Sequence, residues 1–142
     1  MAARILIIED HADTALTTAQ VCESWGYRTQ TAENGAAGLT AMDSFRPHLV
    51  LLDLELPKMS GLDVALLIRH SRLHRKVPIL CITGHDKNKY AEMAAYAGCD
   101  QFLSKPVDLE ELESAIAKNL PRASSRPPSK TETARRMSRF WT

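Results

Sequence analysis

The sequence predicts an α/β protein in which a doubly wound, five-stranded parallel sheet lies between two layers of helices. Two observations lead to this fold class. Short runs rich in leucine and β-branched residues alternate five times with longer segments of helical periodicity along the 142-residue chain. Most of the short runs are continuously apolar rather than alternating, which is typical of strands that are buried on both faces.

The first strand is predicted at 4–8, RILII, and a helix follows at 13–25. Three small apolar residues in this helix recur at i, i+4 and i+7 and therefore share a face, namely Ala15, Ala19 and Cys22. Gly26 ends the helix as a C-cap glycine would.

The middle of the chain repeats the pattern. A strand at 27–32, YRTQTA, precedes a helix at 34–45, whose start is indicated by Asn34 as a potential N-cap. The third strand, HLVLLD at 48–53, ends on an aspartate. The helix at 61–73 comes next, and its apolar side is predicted to contain Leu62, Ala65, Leu66 and Leu73.

The last third of the predicted domain contains two more strand–helix pairs. A strand at 77–83, VPILCIT, precedes a helix near 86–97, and a strand at 100–104, DQFLS, precedes the final helix at 108–119. Apolar residues of the final helix recur at helical spacing and are Leu109, Leu112 and Ile116.

Composition limits the class of protein. The chain is 44% hydrophobic and 25% charged, and it lacks any apolar run near the roughly 18 residues that a membrane span needs. Its N-terminus does not match a secretory signal, so we expect a cytoplasmic protein without a membrane partner. The cysteines Cys22, Cys81 and Cys99 show no C-x-x-C spacing. They are therefore expected to be small apolar residues in a reducing compartment, neither disulfide-bonded nor zinc-binding.

Charge divides the chain into two parts. Residues 1–120 carry a net charge of −4, whereas 121–142 carry +5 with three prolines and four serines. We expect one folded domain at 1–120 and a disordered, basic Pro/Ser/Arg-rich tail at 121–142. Such a tail can contact nucleic acid or a membrane surface, but a solvated linker is the commoner explanation.

Polar residues stand at the ends of four predicted strands. Glu9 and Asp10 follow the first strand, Asp53 ends the third, Thr83 ends the fourth and Lys105 follows the fifth. The carboxyl ends of parallel strands form one edge, where open α/β sheets place their functional crevice. Like charges about 4 Å apart repel by about 4 kcal/mol at an effective dielectric of 20, so three carboxylates there call for a cation. Oxygen ligands suit Mg²⁺ or Mn²⁺, and the pattern indicates phosphoryl chemistry.

Four segments in register carry a family resemblance: IIEDH, LLDLELPKMSG, ITGHD and FLSKPV. With them the sequence resembles the receiver domain of two-component response regulators over about residues 3–120. The resemblance implies a flavodoxin-like (βα)5 fold with strand order 2-1-3-4-5. It also implies a signalling role in which a sensor histidine kinase or a phosphotransfer protein donates a phosphoryl group.

The resemblance assigns the acceptor and the metal ligands. Asp53 would take the phosphoryl group. Asp10, Asp53 and the main-chain carbonyl of Glu55 would bind Mg²⁺, or Mn²⁺, directly, and Glu9 would assist through water. His11, His48, His70 and His74 lack ligand partners at recognisable spacing and are expected to be surface or packing residues.

The resemblance also implies a switch. Lys105 would pair with the phosphoryl oxygens, Thr83 would turn inward to hydrogen-bond one of them, and Phe102 would move into the space that Thr83 leaves. The downstream protein partner would then meet a changed face formed by the helix near 86–97, the fifth strand and the last helix.

Several alternatives remain open at this point. The chain is expected to assist its own phosphorylation and dephosphorylation rather than to act as an enzyme on a separate substrate; a Mg-dependent phosphotransfer enzyme on the same fold and a binding-only adaptor are the other classes. It is expected to be stand-alone, the alternative being a module cut from a longer regulator that has an effector domain. No direct DNA binding is expected from residues 1–120, and a homodimer is left open.

Overall fold

The computed structural model describes residues 2–84, 92–93, 95 and 97–120. The strands are β1 (Arg4–Ile8), β2 (Arg28–Ala32), β3 (Leu49–Asp53), β4 (Ile79–Thr83) and β5 (Gln101–Ser104). The helices are α1 (Ala12–Ser24), α2 (Gly35–Phe45), α3 (Gly61–His70) and α4 (Leu109–Asn119). Much of the helix predicted near 86–97 lies outside the described residues, although 92–93 and 95 are helical. The predicted tail at 121–142 lies entirely outside them.

The five strands form one parallel sheet in the order β2-β1-β3-β4-β5, which confirms the predicted fold class and strand order. Asp53 pairs with Ile82, and Thr83 pairs with Ser104. The ends of β3, β4 and β5 therefore reach the same edge of the sheet. This register brings the predicted site residues together.

Two apolar layers cover the sheet. α1 and α4 pack on one face through buried residues such as Cys22 and Ile116. α2 and α3 pack on the other through buried residues such as Met42 and Ile68. Every residue of β3 and β4 is buried, as continuous apolar runs predict, whereas β2 is an edge strand with mostly exposed side chains.

Helix starts follow the expected chemistry in three of the four described helices. The side chain of Asn34 accepts a hydrogen bond from the N–H of Ala37 at 2.8 Å, which confirms Asn34 as the N-cap of α2. Ser60 and Asp108 cap α3 and α4 in the same way. α1 differs, because its N-cap residue, His11, makes no side-chain cap. Among the described helices, none has both the length and the apolar character needed to cross a bilayer.

The apolar face predicted for the third helix is wrong at its C-terminal end. α3 ends at His70, because Ser71 adopts an extended conformation, and Leu73 lies beyond the helix with 76% of its surface exposed. Val64, Ala65 and Ile68 form the buried face instead. Because the apolar periodicity of the sequence continues past the end of α3, it predicted a longer buried face than the helix has.

The prediction that the cysteines stay unpaired is wrong for two of them. Cys81 on β4 and Cys99 just before β5 form a disulfide, whereas Cys22 is free and buried. Parallel pairing of β4 with β5 brings residues separated by 18 positions to a Cα–Cα distance of 6.2 Å. Sequence spacing alone does not reveal such a contact.

Candidate functional site

Asp53 occupies the centre of the polar edge. It is the last residue of β3, and only 3% of its surface is exposed. One carboxylate oxygen, Oδ1, accepts a hydrogen bond from the N–H of Glu55 at 2.9 Å, and the other, Oδ2, accepts one from Lys105 Nζ at 3.2 Å. Both oxygens are therefore held in place by groups that stabilise a negative charge.

Lys105 connects two of the acids. Its Nζ donates to Glu9 Oε1 at 3.2 Å as well as to Asp53 Oδ2. Its own N–H donates to the carbonyl of Thr83 at 2.8 Å, which fixes the lysine backbone against the end of β4. Burial acts to lower the pKa of Lys105, but the charges and hydrogen bonds of Asp53 and Glu9 outweigh burial and raise that pKa. The ammonium stays charged at neutral pH.

Glu9 follows β1 and is buried, with 6% of its surface exposed. Burial raises the pKa of its carboxyl group, and the hydrogen bond and charge of Asp53 raise it further. The N–H of His11 and the ammonium of Lys105 act in the opposite direction without cancelling this rise. The ionised form of Glu9 is therefore disfavoured in this position, and an added positive charge nearby would stabilise it.

Asp10 and His11 complete the acidic group. Glu9, Asp10, His11 and Asp53 each offer one ligand atom, and these atoms all lie within 4.8 Å of one another. Asp10 Oδ1 is buried and accepts no hydrogen bond from the described residues, although His11 Nδ1 lies 3.3 Å from it. A buried carboxylate oxygen without a donor fits a cation ligand.

His11 is a neighbour of the acid pair that was not predicted as a site residue. His11 is exposed, as expected of a surface residue, and its Nδ1 lies 3.4 Å from Glu9 Oε2 and 3.3 Å from Asp10 Oδ1. The signal was its position directly after the acid pair. By contrast, His48, His70 and His74 contact groups elsewhere in the fold, as expected for packing residues.

Thr83 is fully buried at the end of β4. Its hydroxyl donates to Glu55 Oε1 at 2.7 Å, and the same oxygen accepts the N–H of Gly84 at 2.8 Å. The role predicted for Glu55 concerned only its main-chain carbonyl. Its side chain also belongs to the site, and the signal for it was its position two residues after Asp53.

Gly61 explains how the backbone near Asp53 is placed. A Cβ at residue 61 would overlap the carbonyl oxygen of Asp53 and come within 2.6 Å of Leu54 Cα. The N–H of Gly61 also donates to the carbonyl of Leu54 at 3.1 Å. The first turn of α3 therefore rests directly on the backbone that follows β3.

Phe102 stands apart from the charged cluster. It lies on β5, is partly buried and packs in the apolar layer under α2 and α3. Its register partner is Cys81, in the middle of β4. The structure therefore joins Glu9, Asp10, Asp53 and Lys105 in one cluster and places Phe102 further back along the sheet.

A cavity of about 450 Å³ reaches the cluster from the side. It lies between α1 and α4, with Glu9, Asp53 and Lys105 at one end and apolar residues such as Val21 and Leu112 along its walls. Although Asp53 is almost covered, its surroundings are therefore open to solvent and to a small reagent.

The arrangement suits transfer of a group to the carboxylate of Asp53. A carboxylate nucleophile works when it is positioned and when the charge that develops on the incoming group is neutralised nearby. Lys105 supplies one such charge, and the acidic group can hold a cation that supplies more. Thr83 and the N–H of Gly84 are hydrogen-bond donors at the same edge.

Comparison with known proteins agrees with this geometry. A family model described as the response regulator receiver domain matches residues 5–117. The DNA-binding response regulator MtrA of Mycobacterium tuberculosis is 34% identical over 127 residues, which is 89% of this chain and 54% of MtrA. The CAI-1 autoinducer sensor kinase/phosphatase CqsS of Vibrio cholerae is 33% identical over 115 residues, which is 80% of this chain and 17% of CqsS. The chain thus spans about half or less of the length of these relatives.

The fold is also found among solved structures. The chemotaxis protein CheY4 of Vibrio cholerae superposes with a TM-score of 0.80 over 84% of this chain and all of CheY4. At 22% identity, this likeness concerns the fold alone. Because the family model covers most of the chain and the five-stranded parallel sheet has the strand order of a flavodoxin-like fold, the chain belongs to the response regulator receiver domain family.

Proposed function

We propose that Asp53 is the phosphoryl acceptor of this receiver and that a histidine kinase or a phosphotransfer protein supplies the phosphoryl group. The observation that carries the proposal is the environment of Asp53. Its carboxylate is buried, bound on one oxygen by Lys105 and on the other by the N–H of Glu55, and faced by two further acids. A surface aspartate that merely ends a strand would need none of these contacts.

We assign Mg²⁺, with Mn²⁺ as the alternative, to Asp10, Asp53 and the main-chain carbonyl of Glu55, with Glu9 assisting through water. The donor set supports this assignment, since it consists mainly of carboxylates and includes the buried oxygen of Asp10 that accepts no hydrogen bond from the described residues. When bound, the cation would neutralise charge on the phosphoryl oxygens during transfer. The imidazole of His11 offers a nitrogen atom at this group, and a nitrogen ligand would suit Mn²⁺ better than Mg²⁺.

The chain's own residues account for the transfer. A carboxylate oxygen of Asp53 attacks the phosphorus in line, the phosphorus–nitrogen bond of a donor phosphohistidine breaks, and the electron pair stays on the imidazole, which takes up a proton. Lys105 stays beside the acceptor and pairs with an oxygen of the transferred group. Because the product carries close to two negative charges where Asp53 carried one, the local balance of charge changes.

Thr83 and Phe102 are assigned to the response. The phosphoryl oxygens would attract the Thr83 hydroxyl and the Gly84 N–H, which are bound to Glu55 in this structure. Movement of Thr83 would free volume for Phe102 on β5. Because close-packed interiors respond by discrete rearrangement, the change would reach the face formed by the 86–97 segment, β5 and α4, where a downstream protein partner would bind.

The reaction assigned here is the modification and demodification of the chain itself, without a separate substrate, and we place it in the cytoplasm, where a kinase domain can reach it. The acidic net charge of residues 1–120 speaks against DNA as the direct partner of this domain.

Phosphorylation by a small acyl phosphate in the presence of Mg²⁺ tests the acceptor. The intact mass of the wild-type chain should rise by one phosphoryl group, and that of Asp53→Asn should not change. Asp43→Asn, the same substitution at an exposed position of α2, serves as the matched control and should gain mass like the wild type. A full mass gain in Asp53→Asn would place the acceptor elsewhere.

A further inference from the structure

The disulfide between Cys81 and Cys99 spans the connection from β4 to β5. Cys81 is the central residue of β4 and is fully buried, whereas Cys99 precedes β5 by two positions and is partly exposed. Their Cα–Cα distance of 6.2 Å lies within the range that a disulfide bridges. The bond therefore closes the whole β4-to-β5 connection into a covalent loop.

This loop contains Thr83 and ends two residues before β5, the strand that carries Phe102. Cys81 stands two residues before Thr83 and is the register partner of Phe102. Cys81, Cys99 and Phe102 also belong to the same apolar layer beneath α2 and α3. The disulfide therefore ties the strand that carries Thr83 to the chain that enters the strand carrying Phe102.

Arg69 holds Cys99 in place independently of the sulfur atoms. Its Nε donates to the carbonyl of Gly98 at 2.8 Å, and its Nη2 donates to Asp100 Oδ2 at 2.8 Å. These are the residues on either side of Cys99. Because neither hydrogen bond involves a sulfur atom, we expect reduction to leave Cys99 close to Cys81, so that the bond could form again.

The compartment makes this pair unusual. Disulfides are rare in the reducing cytoplasm, and those that occur there are usually transient and redox-responsive. The inference rests on the proposed function for the cytoplasmic location and for the switch. Cys22 is different in kind, because burial raises the pKa of its thiol to about 12 and keeps it protonated and unreactive. Oxidation would therefore be selective for the pair.

We propose that Cys81 and Cys99 form a redox modification site that controls the phosphorylation switch. In the disulfide form, β4 and the chain entering β5 are restrained, and the response to a phosphoryl group on Asp53 is weak. In the dithiol form the restraint is absent, and the response is full.

Hydrogen peroxide is the simplest oxidant for this site. The thiolate of Cys99, the more exposed of the two residues, attacks one oxygen of the peroxide and becomes a sulfenic acid. The O–O bond breaks, and the leaving hydroxide takes up a proton to give water. The Cys81 sulfur then attacks the sulfenic sulfur, forms the S–S bond and releases a second water. Two thiols lose two electrons, and the peroxide becomes two waters. A dithiol reductant reverses the change by exchange and becomes a disulfide itself.

Counting thiols tests the chemistry on the full chain. The protein is treated with hydrogen peroxide or with dithiothreitol, denatured, alkylated with N-ethylmaleimide and weighed. Because the chain has three cysteines, the reduced protein should carry three labels and the oxidised protein one, on Cys22. Three labels on the peroxide-treated protein would overturn the proposal.

The effect on the switch is measured with beryllofluoride and Mg²⁺ as the phosphoryl mimic, using amide hydrogen exchange of β5 as the readout. Oxidation should raise the half-saturating concentration by about fivefold or more, the low end of typical coupling between sites. By reciprocity, saturating mimic should make the disulfide easier to reduce. A fivefold factor corresponds to about 20 mV in midpoint potential at 29.6 mV per tenfold change for two electrons.

Variants separate the possible outcomes. Cys99→Ser and Cys81→Ala should respond to the mimic without any effect of peroxide, and Cys22→Ala should behave like the wild type. If either variant fails to fold, the two redox states of the wild type still give the answer, and equal half-saturation in both would overturn the proposal. Failure of the proposed function is distinct, since the reduced wild type would then gain no mass from an acyl phosphate.

Discussion

The hydroxyl of Thr83 donates a 2.7 Å hydrogen bond to the carboxylate of Glu55, two residues beyond the assigned acceptor. The same carboxylate oxygen accepts the N–H of Gly84. The two donors that we assign to a phosphoryl group are therefore already held by an anion supplied by the protein. A phosphoryl group on Asp53 has to compete with Glu55 for them.

Removal of that competitor should strengthen binding of the phosphoryl mimic. In Glu55→Ala, affinity for beryllofluoride with Mg²⁺ should rise by about tenfold, since a hydrogen bond to a charged group contributes about 1.5 kcal/mol and no longer has to be broken. A beryllofluoride titration, followed by hydrogen exchange at the Thr83 and Gly84 amides, measures this affinity.

Glu55→Gln is the matched control, because it keeps an acceptor oxygen and removes the charge. Its affinity should fall between those of the wild type and Glu55→Ala. An unchanged or weaker affinity in Glu55→Ala would show that Glu55 supports the mimic rather than competing with it.

Loss of Asp10 should weaken the metal site more than loss of Glu9. Asp10→Asn should bind Mg²⁺ at least roughly tenfold more weakly, comparable to the loss of a group that supports a metal ligand. Glu9→Gln should have a smaller effect, because Glu9 is assigned to contact the metal through water. Without metal, the Glu9→Gln variant should have a higher thermal midpoint than the wild type, because burial disfavours the ionised form of Glu9. Calorimetric Mg²⁺ titrations and thermal midpoints provide both measurements.

His11→Ala is the companion variant for metal preference. If the imidazole contributes a ligand, its removal should lower affinity for Mn²⁺ more than affinity for Mg²⁺, since nitrogen ligands favour Mn²⁺. Equal losses for the two ions would leave His11 outside the coordination sphere. Equal Mg²⁺ affinity in wild type and Asp10→Asn would contradict the assigned ligand set as a whole.

Thr83→Ala should separate phosphorylation from response. Asp53, the acids and Lys105 are unchanged in this variant, so mass gain from an acyl phosphate should continue. Exchange protection induced in β5 and α4 by the mimic should fall by roughly fivefold, within the usual range of coupling between sites. Thr83→Ser retains the hydroxyl and should restore most of the response. A normal response in Thr83→Ala would remove the threonine from the switch.

Acidification should destabilise the fold through His48. Its Nδ1 accepts the N–H of Arg4 at 2.9 Å, and burial, with the charge of Arg4, lowers the pKa of His48 from its usual 6.5. The unfolded chain therefore takes up the proton first. Stability from this group is complete above pH 6.5 and is lost as pH falls through that value toward the lower folded pKa.

His48→Asn supplies the comparison, because asparagine offers an acceptor near the position of Nδ1 and does not titrate. Urea midpoints of the wild type should fall more steeply than those of His48→Asn between about pH 7.5 and about pH 5.5, around the usual histidine pKa. Parallel slopes would exclude His48 as the source of the pH dependence.

The sequence was sufficient for the sheet and for the placement of polar residues at one of its edges, because both depend on local signals. Continuous apolar runs marked buried strands, and polar residues at their carboxyl ends had to share an edge once the strands were parallel. Asn34 was recognisable as an N-cap from its own chemistry. Each of these inferences needed only the neighbouring residues.

Contacts between residues that are distant in the sequence were harder to predict from it. The pairing of Cys81 with Cys99 depends on the register of β4 and β5, and the bond from Thr83 to Glu55 depends on a side-chain orientation. The exposure of Leu73 depends on where α3 ends, a boundary that periodicity places poorly. The roles of these contacts in signalling stay predictions.

Gly61 has a consequence for sequence variation. Since even a methyl group at this position would meet the backbone of Asp53 and Leu54, any side chain here would force α3 and the backbone of the acceptor apart. In a saturation library selected for phosphorylation, position 61 should therefore tolerate fewer residues than the buried apolar positions of α3. Ile68, for example, can be exchanged for another aliphatic residue of similar volume. The position with no side chain would then be among the least replaceable in the helix.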